Sequence, residues 1–553
     1  MRIVKWEITD IDALGRIGKL IINQKEIVTP NLFPVVHPYR NILTLSDLKN
    51  IGAQCVFTNA YIIYQNPEIR NIVLRKGIHK YLNFNGVIAT DSGAFQKYMY
   101  NKTDFELNAE DIEKFQEDIG SDFPVILDEP VQPDDDYETA RKKVNLSIQR
   151  AKDNINRRVR DTCHWFGPIH GAKYMDLLKL CTVEMSKLDF GVYAIGGLVK
   201  SFLNYRFDLV IKSLLKVKEN IIWNKPIHMF GLGLPQFFSL AIACGCDLMD
   251  SAAYILFAKE NRYFTLSTGT RNLYELEEFP CHCPICCEYE PKEVRNFDDA
   301  FRTEILAKHN LYLSFSELRT IRQAIKEGNL WELVEQRIRN HPSLGDAFGI
   351  IKSNFKLFEN HEKVYKLHGR LFASPESTNR VLLQRYDLKI EKNYRVPSEA
   401  KFLIVLPELD VKGYQSPSIK NWLEEFENNT TIPRKSLHIV FISDFFGIIP
   451  LELSFTFPMG QFESINMINT NNILFQSFAQ RIENFFKFHG GYYDKCGILI
   501  PDQYINQFGE ETEYSKKKAI IRIFDKLKSK LTINFSIFED SLGIIQFFKD
   551  DQE

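Results

Sequence analysis

The stretch GVIAT, residues 86–90, runs directly into DSGAFQ, residues 91–96, so that a short apolar segment ends at the carboxylate of Asp91. Apolar runs of this length, bounded by polar or small residues, predict buried strands. The pattern recurs at 55–61, 123–127, 165–169, 192–195, 228–231 and 248–250, with a possible eighth run near 264–265. Stretches with helical periodicity separate the runs, at 109–119, 137–159, 173–188, 202–217 and 234–244.

Alternating strands and helices predict an α/β fold built on a parallel sheet. Seven such units and a possible eighth fit the length of a TIM-type (β/α)8 barrel. The alternative is an open, doubly wound sheet. No G-x-G-x-x-G segment follows the first strand, which disfavours a dinucleotide-binding fold.

Polar or small residues follow the predicted strands where each strand ends. Asp128 follows FPVIL, His170 follows WFGPI, Gly196 and Gly197 follow VYAI, and Asp250 follows CDLM. One such aspartate is often only a helix cap. Several on one barrel rim indicate chemistry, and two carboxylates on one face suit the cleavage of a glycosidic bond. The glycine pair would let backbone N–H groups approach a flat ligand.

Three cysteines and one histidine predict a structural zinc site. Cys281, Cys283 and Cys286 form a C-x-C-x2-C knuckle, and His309 lies on a later helical stretch. Four protein ligands leave no open coordination position, so one zinc ion per chain would hold together a subdomain of about residues 270–320. Cys287 is the alternative fourth ligand, although its adjacency to Cys286 makes it sterically poor. Ordinary reduced cysteines near a turn are the other interpretation.

Composition sets wider limits. The 553 residues suggest roughly three domains, or fewer if one is a barrel. A net charge of −2 excludes a global basic field, so any nucleic-acid contact requires local patches. No apolar leader and no apolar run of membrane-spanning length is present, and the remaining cysteines are scattered. We therefore expect a cytoplasmic protein with reduced thiols and no membrane association.

Several motifs together resemble the tRNA-guanine transglycosylases: GRIGKL, FTNAYII, ATDSGAFQ, VYAIGGL, FGLGLP, CGCDLMDSAAY and the cysteine–histidine set. PVVHP, NRYFT and LWELVEQRIRNHP resemble the archaeal branch most. That branch exchanges guanine 15 in the tRNA D-loop for 7-cyano-7-deazaguanine on the way to archaeosine. The resemblance covers about residues 1–386.

The resemblance implies roles for individual residues. Asp250 stands at the position of the nucleophile that forms a covalent ester with the ribose, and Asp91 at the general acid/base. Asp128 stands at the aspartate that reads the N1–H and the exocyclic amine of the base. The other implied base-pocket residues are Ser92, Phe95, His170, Gly196, Gly197 and Leu198. The implied partners are tRNA, a 7-deazaguanine base and a second copy of the chain.

Two positions depart from the family pattern. His170 stands where the family usually has glutamine, which leaves the accepted base open. Leu234 follows Gly233 where the archaeal branch often has histidine. Lys259, Arg262 and Arg271 follow the nucleophile strand and are candidates for contact with tRNA phosphates.

The first domain is expected at 1–345, a connecting segment at 346–399 and a separate α/β domain at 400–553. The last domain resembles the one that archaeosine synthase carries after its transglycosylase-like part. Its Pro-Cys-Ser…Lys-Pro-Tyr motif is reduced here to Pro407, Lys412 and Tyr414. A helix rich in lysine near the C-terminus is either a solvated face or an RNA contact.

Three functions follow from these patterns. The first is an active transglycosylase, which the retained Asp91, Asp128 and Asp250 favour. The second is an archaeosine-synthase-like enzyme that modifies the tRNA-bound base. The third is a non-catalytic, tRNA-binding paralogue.

Overall fold

A computed structural model describes residues 4–95, 108–466, 468–528, 530–531 and 533–549. The chain divides into two compact units, Met1–Lys363 and Val364–Glu553. Residues 346–399, which we expected to connect two domains, contribute elements to both units. Helices such as Phe355–Glu359 lie in the first unit, and strand and helix segments such as Val381–Lys392 lie in the second.

The first unit is built from both β-strands and α-helices, as in an α/β fold. Its strands are β1 (Val4–Asp12), β2 (Gly15–Ile22), β3 (Lys25–Thr29), β4 (Asn31–Pro34), β5 (Cys55–Asn59), β6 (Val87–Asp91), β7 (Phe123–Pro124), β8 (Phe166–Ile169), β9 (Val192–Ile195), β10 (Ile227–Met229), β11 (Leu248–Ser251), β12 (Arg262–Thr265) and β13 (Gly269–Asn272). Its α-helices are Leu45–Ile51, Ala60–Gln65, Pro67–Lys76, Ile78–Leu82, Ala109–Asp118, Tyr137–Arg157, Met175–Ser186, Val199–Leu203, Phe207–Asn220, Pro235–Ala243, Ala253–Lys259, Pro284–Glu288, Pro291–Asn296, Asp299–Glu327, Leu330–Arg337, Pro342–Gly349 and Phe355–Glu359. The α/β class expected from the alternating pattern is confirmed.

Eight of these strands are joined by parallel pairings in a closed series. One sheet has the order β4-β11-β10-β9-β8 and another has the order β5-β6-β7. Two parallel bridges connect the sheets, Val35 with Phe57 beside β4 and β5, and Val125 with Phe166 beside β7 and β8. The carboxyl ends of all eight strands therefore meet at one edge, where polar side chains from distant parts of the sequence can converge.

The expectation of a strand of this series near 264–265 is wrong. That segment belongs to β12, which pairs antiparallel with β13 in a hairpin. The missing member is β4, which precedes the first strand that we expected and pairs with β11 through partners such as Leu32 and Met249. Its four residues follow Pro30 and end with Pro34, and prolines within a short run argue against a central strand.

The interior of the series is filled by apolar side chains. Phe33, Phe57, Phe123, Phe166 and their neighbours form one buried cluster, to which nearly every strand of the series contributes. The antiparallel meander β1-β2-β3 adds to the same cluster through the buried side chains Leu20, Ile22 and Ile27. We had not predicted this meander.

Two predicted helices have different bounds in the structure. The stretch expected as one helix at 202–217 is two helices, Val199–Leu203 and Phe207–Asn220, because Tyr205 between them has a left-handed backbone with φ of 54°. The helix expected around His309 extends over Asp299–Glu327. The Asp298 side chain accepts from two backbone N–H groups at its start, and Gly328 ends it with φ of 73°.

The second unit has its own sheet and core. Its strands are β14 (Arg370–Phe372), β15 (Phe402–Pro407), β16 (Leu437–Ser443), β17 (Gly447–Pro450), β18 (Phe462–Ser464), β19 (Lys495–Leu499), β20 (Gln503–Ile505), β21 (Glu511–Glu513) and β22 (Asn534–Phe538). Its α-helices are Val381–Lys392, Pro417–Asn429, Asn472–His489, Lys517–Leu527 and Ser541–Lys549. The main sheet has the order β17-β16-β15-β19-β22, with only the β16–β17 pair antiparallel. Among the helices described in either unit, none has both the length and the apolar character that crossing a membrane requires.

Candidate active site

The predicted site residues lie at the carboxyl ends of the strands in the closed series. Asp91 ends β6, and Asp250 is the third residue of β11. His170 follows the last residue of β8, and Gly196 follows the last residue of β9. Parallel strands direct these residues to one rim although they span more than a hundred positions of the sequence.

Asp128 and His170 form a buried pair. The His170 Nε2 lies 2.5 Å from the Asp128 Oδ2, which is the length of a short, charge-assisted hydrogen bond. His170 is 1% exposed and Asp128 is 5% exposed. Within the described residues no donor contacts Asp128 Oδ1, so the pair leaves this carboxylate oxygen for a ligand.

The two glycines after β9 lie against this pair. A side-chain carbon on Gly196 would lie 2.5 Å from the His170 Cε1, so no larger residue fits without moving the ring. Gly197 has φ of 77°, and a side chain there would lie 2.5 Å from the Val131 carbonyl oxygen. Leu198 comes next and is buried. The close approach of backbone and imidazole explains why small residues stand here.

Asp250 is held by two donors at the opposite part of the rim. The His228 Nε2 lies 2.8 Å from the Asp250 Oδ1, and the Gly231 N–H donates to the same oxygen at 3.2 Å. Asp250 is not one of the buried residues, since its side chain is 14% exposed. No described residue donates to Oδ2, so that oxygen remains available for attack on an electrophile.

Sequence reasoning missed His228 as a functional residue. Its side chain is fully buried, and its ring contacts the rings of Phe33, Phe57 and Phe166 at centroid distances of 5.7, 6.2 and 5.0 Å. A histidine within an apolar strand is ordinarily interpreted as a core residue. Its contact with Asp250 depends on β10 and β11 being neighbours, which local sequence does not reveal.

Asp91 is bound by the strand beside it. The Asn59 Nδ2 donates to the Asp91 Oδ2 at 2.7 Å, and the Gly93 N–H approaches Oδ1 at 3.3 Å. The neighbouring Ser92 is buried, and its hydroxyl donates to the Ile126 carbonyl at 3.1 Å. Phe95 is 39% exposed. Gln96, the last residue of this motif, lies outside the described residues.

Cys281, Cys283, Cys286 and His309 converge as one cluster. Their candidate ligand atoms all lie within 4.8 Å of one another. The His309 Nε2–H donates to the Phe264 carbonyl at 3.0 Å, which leaves Nδ1 facing the sulfurs of Cys283 and Cys286 at 3.5 and 3.3 Å. A backbone acceptor that fixes the free ring nitrogen is the usual support of a metal-binding histidine.

The surroundings of this cluster decide between the two candidate fourth ligands. Tyr263 stacks on the His309 ring with centroids 3.6 Å apart, which fixes the ring plane. Cys287 is exposed, and its thiol points to the His282 carbonyl at 3.6 Å rather than to the other sulfurs. The cluster that could hold a metal ion therefore contains His309 and not Cys287.

Comparison with known proteins agrees with this geometry. Residues 10–343 match the family described as queuine tRNA-ribosyltransferase. The chain belongs to this family. A tRNA-guanine(15) transglycosylase of Methanococcus maripaludis strain S2 is 36% identical over 550 residues, covering 96% of this chain and 82% of that protein. Those of Methanocaldococcus jannaschii (35%, 94% and 77%) and Pyrococcus furiosus (36%, 83% and 71%) are similar.

Membership in the queuine tRNA-ribosyltransferase family makes the chain a tRNA-modifying transferase and confirms the family expected from the motifs. The family match ends within the first unit. The matches to the archaeal relatives extend into the second unit as well, since they cover up to 96% of the chain.

Some basic residues of the second unit pair with acidic ones. Lys516 lies 2.8 Å from the Asp444 carboxylate, and Lys517 lies 2.6 Å from both Asp502 and Glu539. Lys412, the residue of the reduced motif, lies 3.0 Å from Glu408 and 3.8 Å from the centroid of the Phe462 ring. These contacts favour a structural role for these three lysines over contact with phosphate.

Proposed function

We propose that this chain exchanges guanine at position 15 of tRNA for a 7-deazaguanine base, as a cytoplasmic enzyme of archaeosine synthesis. The names of its archaeal relatives support the reaction and the position. The observation that carries the proposal is Asp250, a carboxylate at the rim with one oxygen held by two donors and the other left for attack.

The proposed scaffold is a (β/α)8 barrel with an inserted zinc subdomain. The closed series of eight parallel pairings supports the barrel. In barrels of this class the catalytic groups stand at the carboxyl ends of the strands. That edge carries the side chains proposed to take part in the reaction, which are Asp91, Asp128, His170 and Asp250.

The proposed chemistry uses two displacements at C1′ of the ribose. Asp250 Oδ2 attacks C1′, the bond from C1′ to N9 of guanine breaks, and a covalent ester forms. Asp91 gives a proton to the leaving base and later takes one from the incoming base. The nitrogen of the incoming base then displaces Asp250, which restores the glycosidic bond with retention. One glycosidic bond replaces another, so no nucleotide fuel is needed.

In the proposed complex Asp128 selects the base. Its free Oδ1 accepts from the N1–H and the exocyclic amine of a guanine-type edge, while Phe95 stacks on the ring and Gly197 offers its N–H. Guanine 15 lies inside folded tRNA, so the nucleotide must be turned out of its stack before it reaches this pocket. Arg262 and Arg271 on the β12–β13 hairpin are proposed to contact phosphates.

One assay tests the reaction. The full chain is incubated with a tRNA transcript and labelled 7-cyano-7-deazaguanine, and a transcript with adenine at position 15 serves as the control. We expect label in the first transcript only, and a protein–tRNA adduct on a denaturing gel. Tight tRNA binding with neither label nor adduct would favour the non-catalytic paralogue instead, and conversion of a tRNA already carrying the cyano base would favour the synthase-like enzyme.

We also propose that Cys281, Cys283, Cys286 and His309 hold one structural zinc ion. Three sulfurs and one imidazole match the closed tetrahedral set of such sites. Because the ligands come from a knuckle and from the helix Asp299–Glu327, the ion would join two segments of the first unit. A homodimer, usual for the family, is proposed alongside and is tested by sedimentation.

The zinc proposal predicts one equivalent of zinc per chain by elemental analysis. Chelation or Cys286→Ser should lower the melting temperature of the first unit, because metal binding contributes folding free energy. Cys287→Ser is the matched control and should leave both the zinc content and the melting temperature unchanged. Correctly folded protein without zinc would contradict the proposal.

A further inference from the structure

In the buried pair of Asp128 and His170, the Nδ1 of His170 has no hydrogen-bond partner among the described residues. Nε2 contacts the carboxylate, and Nδ1 is buried. Nδ1 lies 3.0 Å from the point where a side-chain carbon of Gly196 would stand, and 3.9 Å from that of Gly197. The unpartnered nitrogen is therefore aimed at the backbone of the two glycines that line the candidate pocket.

The protonation of His170 decides what this nitrogen can do. Nε2 carries a proton in order to donate to the carboxylate. In the neutral ring Nδ1 then has only a lone pair and accepts a hydrogen bond, whereas in the imidazolium both nitrogens donate. A buried lone pair without a donor is costly, and so is one that meets another acceptor.

The edge of a guanine-type base fixes which form is needed. Two donors, N1–H and the 2-amino group, lie beside each other on this edge, and the 6-oxo acceptor is next to N1. When Asp128 accepts from the donors, the 6-oxo oxygen faces the group beside Asp128. That group is His170, and only its imidazolium form can donate to the oxygen.

We propose that binding of the base takes up one proton, which converts His170 to an imidazolium bridging the Asp128 carboxylate and the 6-oxo group. This inference rests on the proposed function and makes the pocket specific for 6-oxo bases when His170 is protonated. A 6-amino base would present a donor to a donor and would be rejected. The proton comes from solvent, and the ion pair with Asp128 compensates the new charge in the buried site.

The other titratable groups that face His170 do not change charge in the same range. Cys181, on the helix Met175–Ser186, accepts from the His170 backbone N–H at 3.4 Å. Burial raises the pKa of Cys181 to about 12, so it stays a thiol. Arg150, on the helix Tyr137–Arg157, donates to the Asp128 carbonyl at 3.3 Å and lies 3.5 Å from Glu129.

The test measures binding of 7-cyano-7-deazaguanine to the full chain by calorimetry between about pH 5.5 and 8.5, in buffers of different ionisation enthalpy. We expect uptake of up to one proton per base. Over the pH range in which the uptake is one full proton, affinity should fall about tenfold for each pH unit. The tRNA-dependent KM for the base should rise in parallel, and the KM for tRNA should not.

Two variants test whether His170 causes the pH dependence of base affinity. His170→Gln keeps a donor that does not titrate, so its base affinity should be independent of pH. His164→Gln replaces a buried histidine just before the opposite end of the same strand and should retain the wild-type pH dependence. The proton count in the wild-type protein needs no variant, so a misfolded His170→Gln protein does not block the test.

The outcomes are distinct. Base binding in the wild-type protein without proton uptake, while exchange into tRNA continues, would overturn this inference and leave the proposed function intact. Absence of both base binding and exchange would overturn both. A pH dependence that persists in His170→Gln would assign the proton to another group and would also overturn the inference.

Discussion

Two aspartate–histidine pairs lie on the same rim and differ in what they leave open. In the first, His170 and Asp128 are joined at 2.5 Å, and both side chains are almost completely buried, at 1% and 6% exposed. In the second, His228 and Asp250 are joined at 2.8 Å, and the aspartate is 14% exposed while the histidine is fully buried. The same two residue types thus form a closed pair and an open one.

The difference lies in the second contact of each pair. Asp250 has a further donor, the Gly231 N–H, on the same oxygen that His228 contacts, so the carboxylate is fixed with Oδ2 outward. Among the described residues the Asp128 carboxylate has no second donor. The buried Nδ1 of both histidines lacks a hydrogen-bond partner there, and that of His170 lies next to Gly196. In the proposed function the open pair orients the nucleophile and the closed pair contacts the base. A histidine beside a carboxylate therefore has no single role, and the remaining contacts of the carboxylate distinguish the two pairs.

The largest effect is expected from Asp250→Asn, which removes the attacking carboxylate and keeps its shape. Base exchange should fall about a thousandfold or more, as when a covalent nucleophile is lost. The protein–tRNA adduct should disappear from the denaturing gel, while tRNA binding by filter retention persists. Exchange and adduct at wild-type levels would exclude Asp250 as the nucleophile.

Asp128→Asn should have the next largest effect on base exchange, and it should act mainly on KM for the base. The amide offers only one acceptor oxygen, so the hydrogen bonds from His170 and from the base are weakened. A charge-assisted hydrogen bond of about 1.5–3 kcal/mol corresponds to about a tenfold to hundredfold change. Steady-state kinetics should show most of the loss in KM for the base. An equal loss in kcat would contradict the assignment of Asp128 to base reading.

His228→Phe tests the support of the open pair. Phenylalanine suits a site surrounded by Phe33, Phe57 and Phe166, but it cannot donate to Asp250. We expect kcat to fall about tenfold or more, because a hydrogen bond to a charged group contributes about 1.5–3 kcal/mol. KM for the base should not change. His228→Gln restores a donor and should recover part of kcat; a merely structural histidine would show no such rescue.

Gly196→Ala should break the closed pair with the smallest effect. Its new carbon would lie 2.5 Å from the His170 Cε1, so the ring must move away from Asp128. Overpacking of this kind costs about 1–3 kcal/mol, which thermal unfolding would detect. Gly345→Ala is the matched control, because nothing lies within 4 Å of its added carbon. Equal melting temperatures of the two variants would show that the pocket tolerates the shift.

Much of the fold and of the site could be predicted because its determinants are local. Apolar runs ending at Asp91, Asp128 and Asp250 mark strands, and a C-x-C-x2-C knuckle brings three sulfurs together by its spacing alone. The strand β4 escaped prediction because its short run contains proline and its pairing partner, β11, is more than two hundred residues away. The break at Tyr205 escaped it because no glycine or proline marks that position.

The sequence by itself determined the alternation of strands and helices, the residues at the strand ends and the ligands of the candidate zinc site, since each follows from spacing along the chain. Only the tertiary structure decided which histidine meets which aspartate. His170 reaches Asp128 across 42 residues and His228 reaches Asp250 across 22, because the strands that carry them lie side by side. Which strands become neighbours cannot be read from a local stretch of sequence. The neighbouring strands determine that the Asp128–His170 pair is buried and that Asp250 is partly exposed.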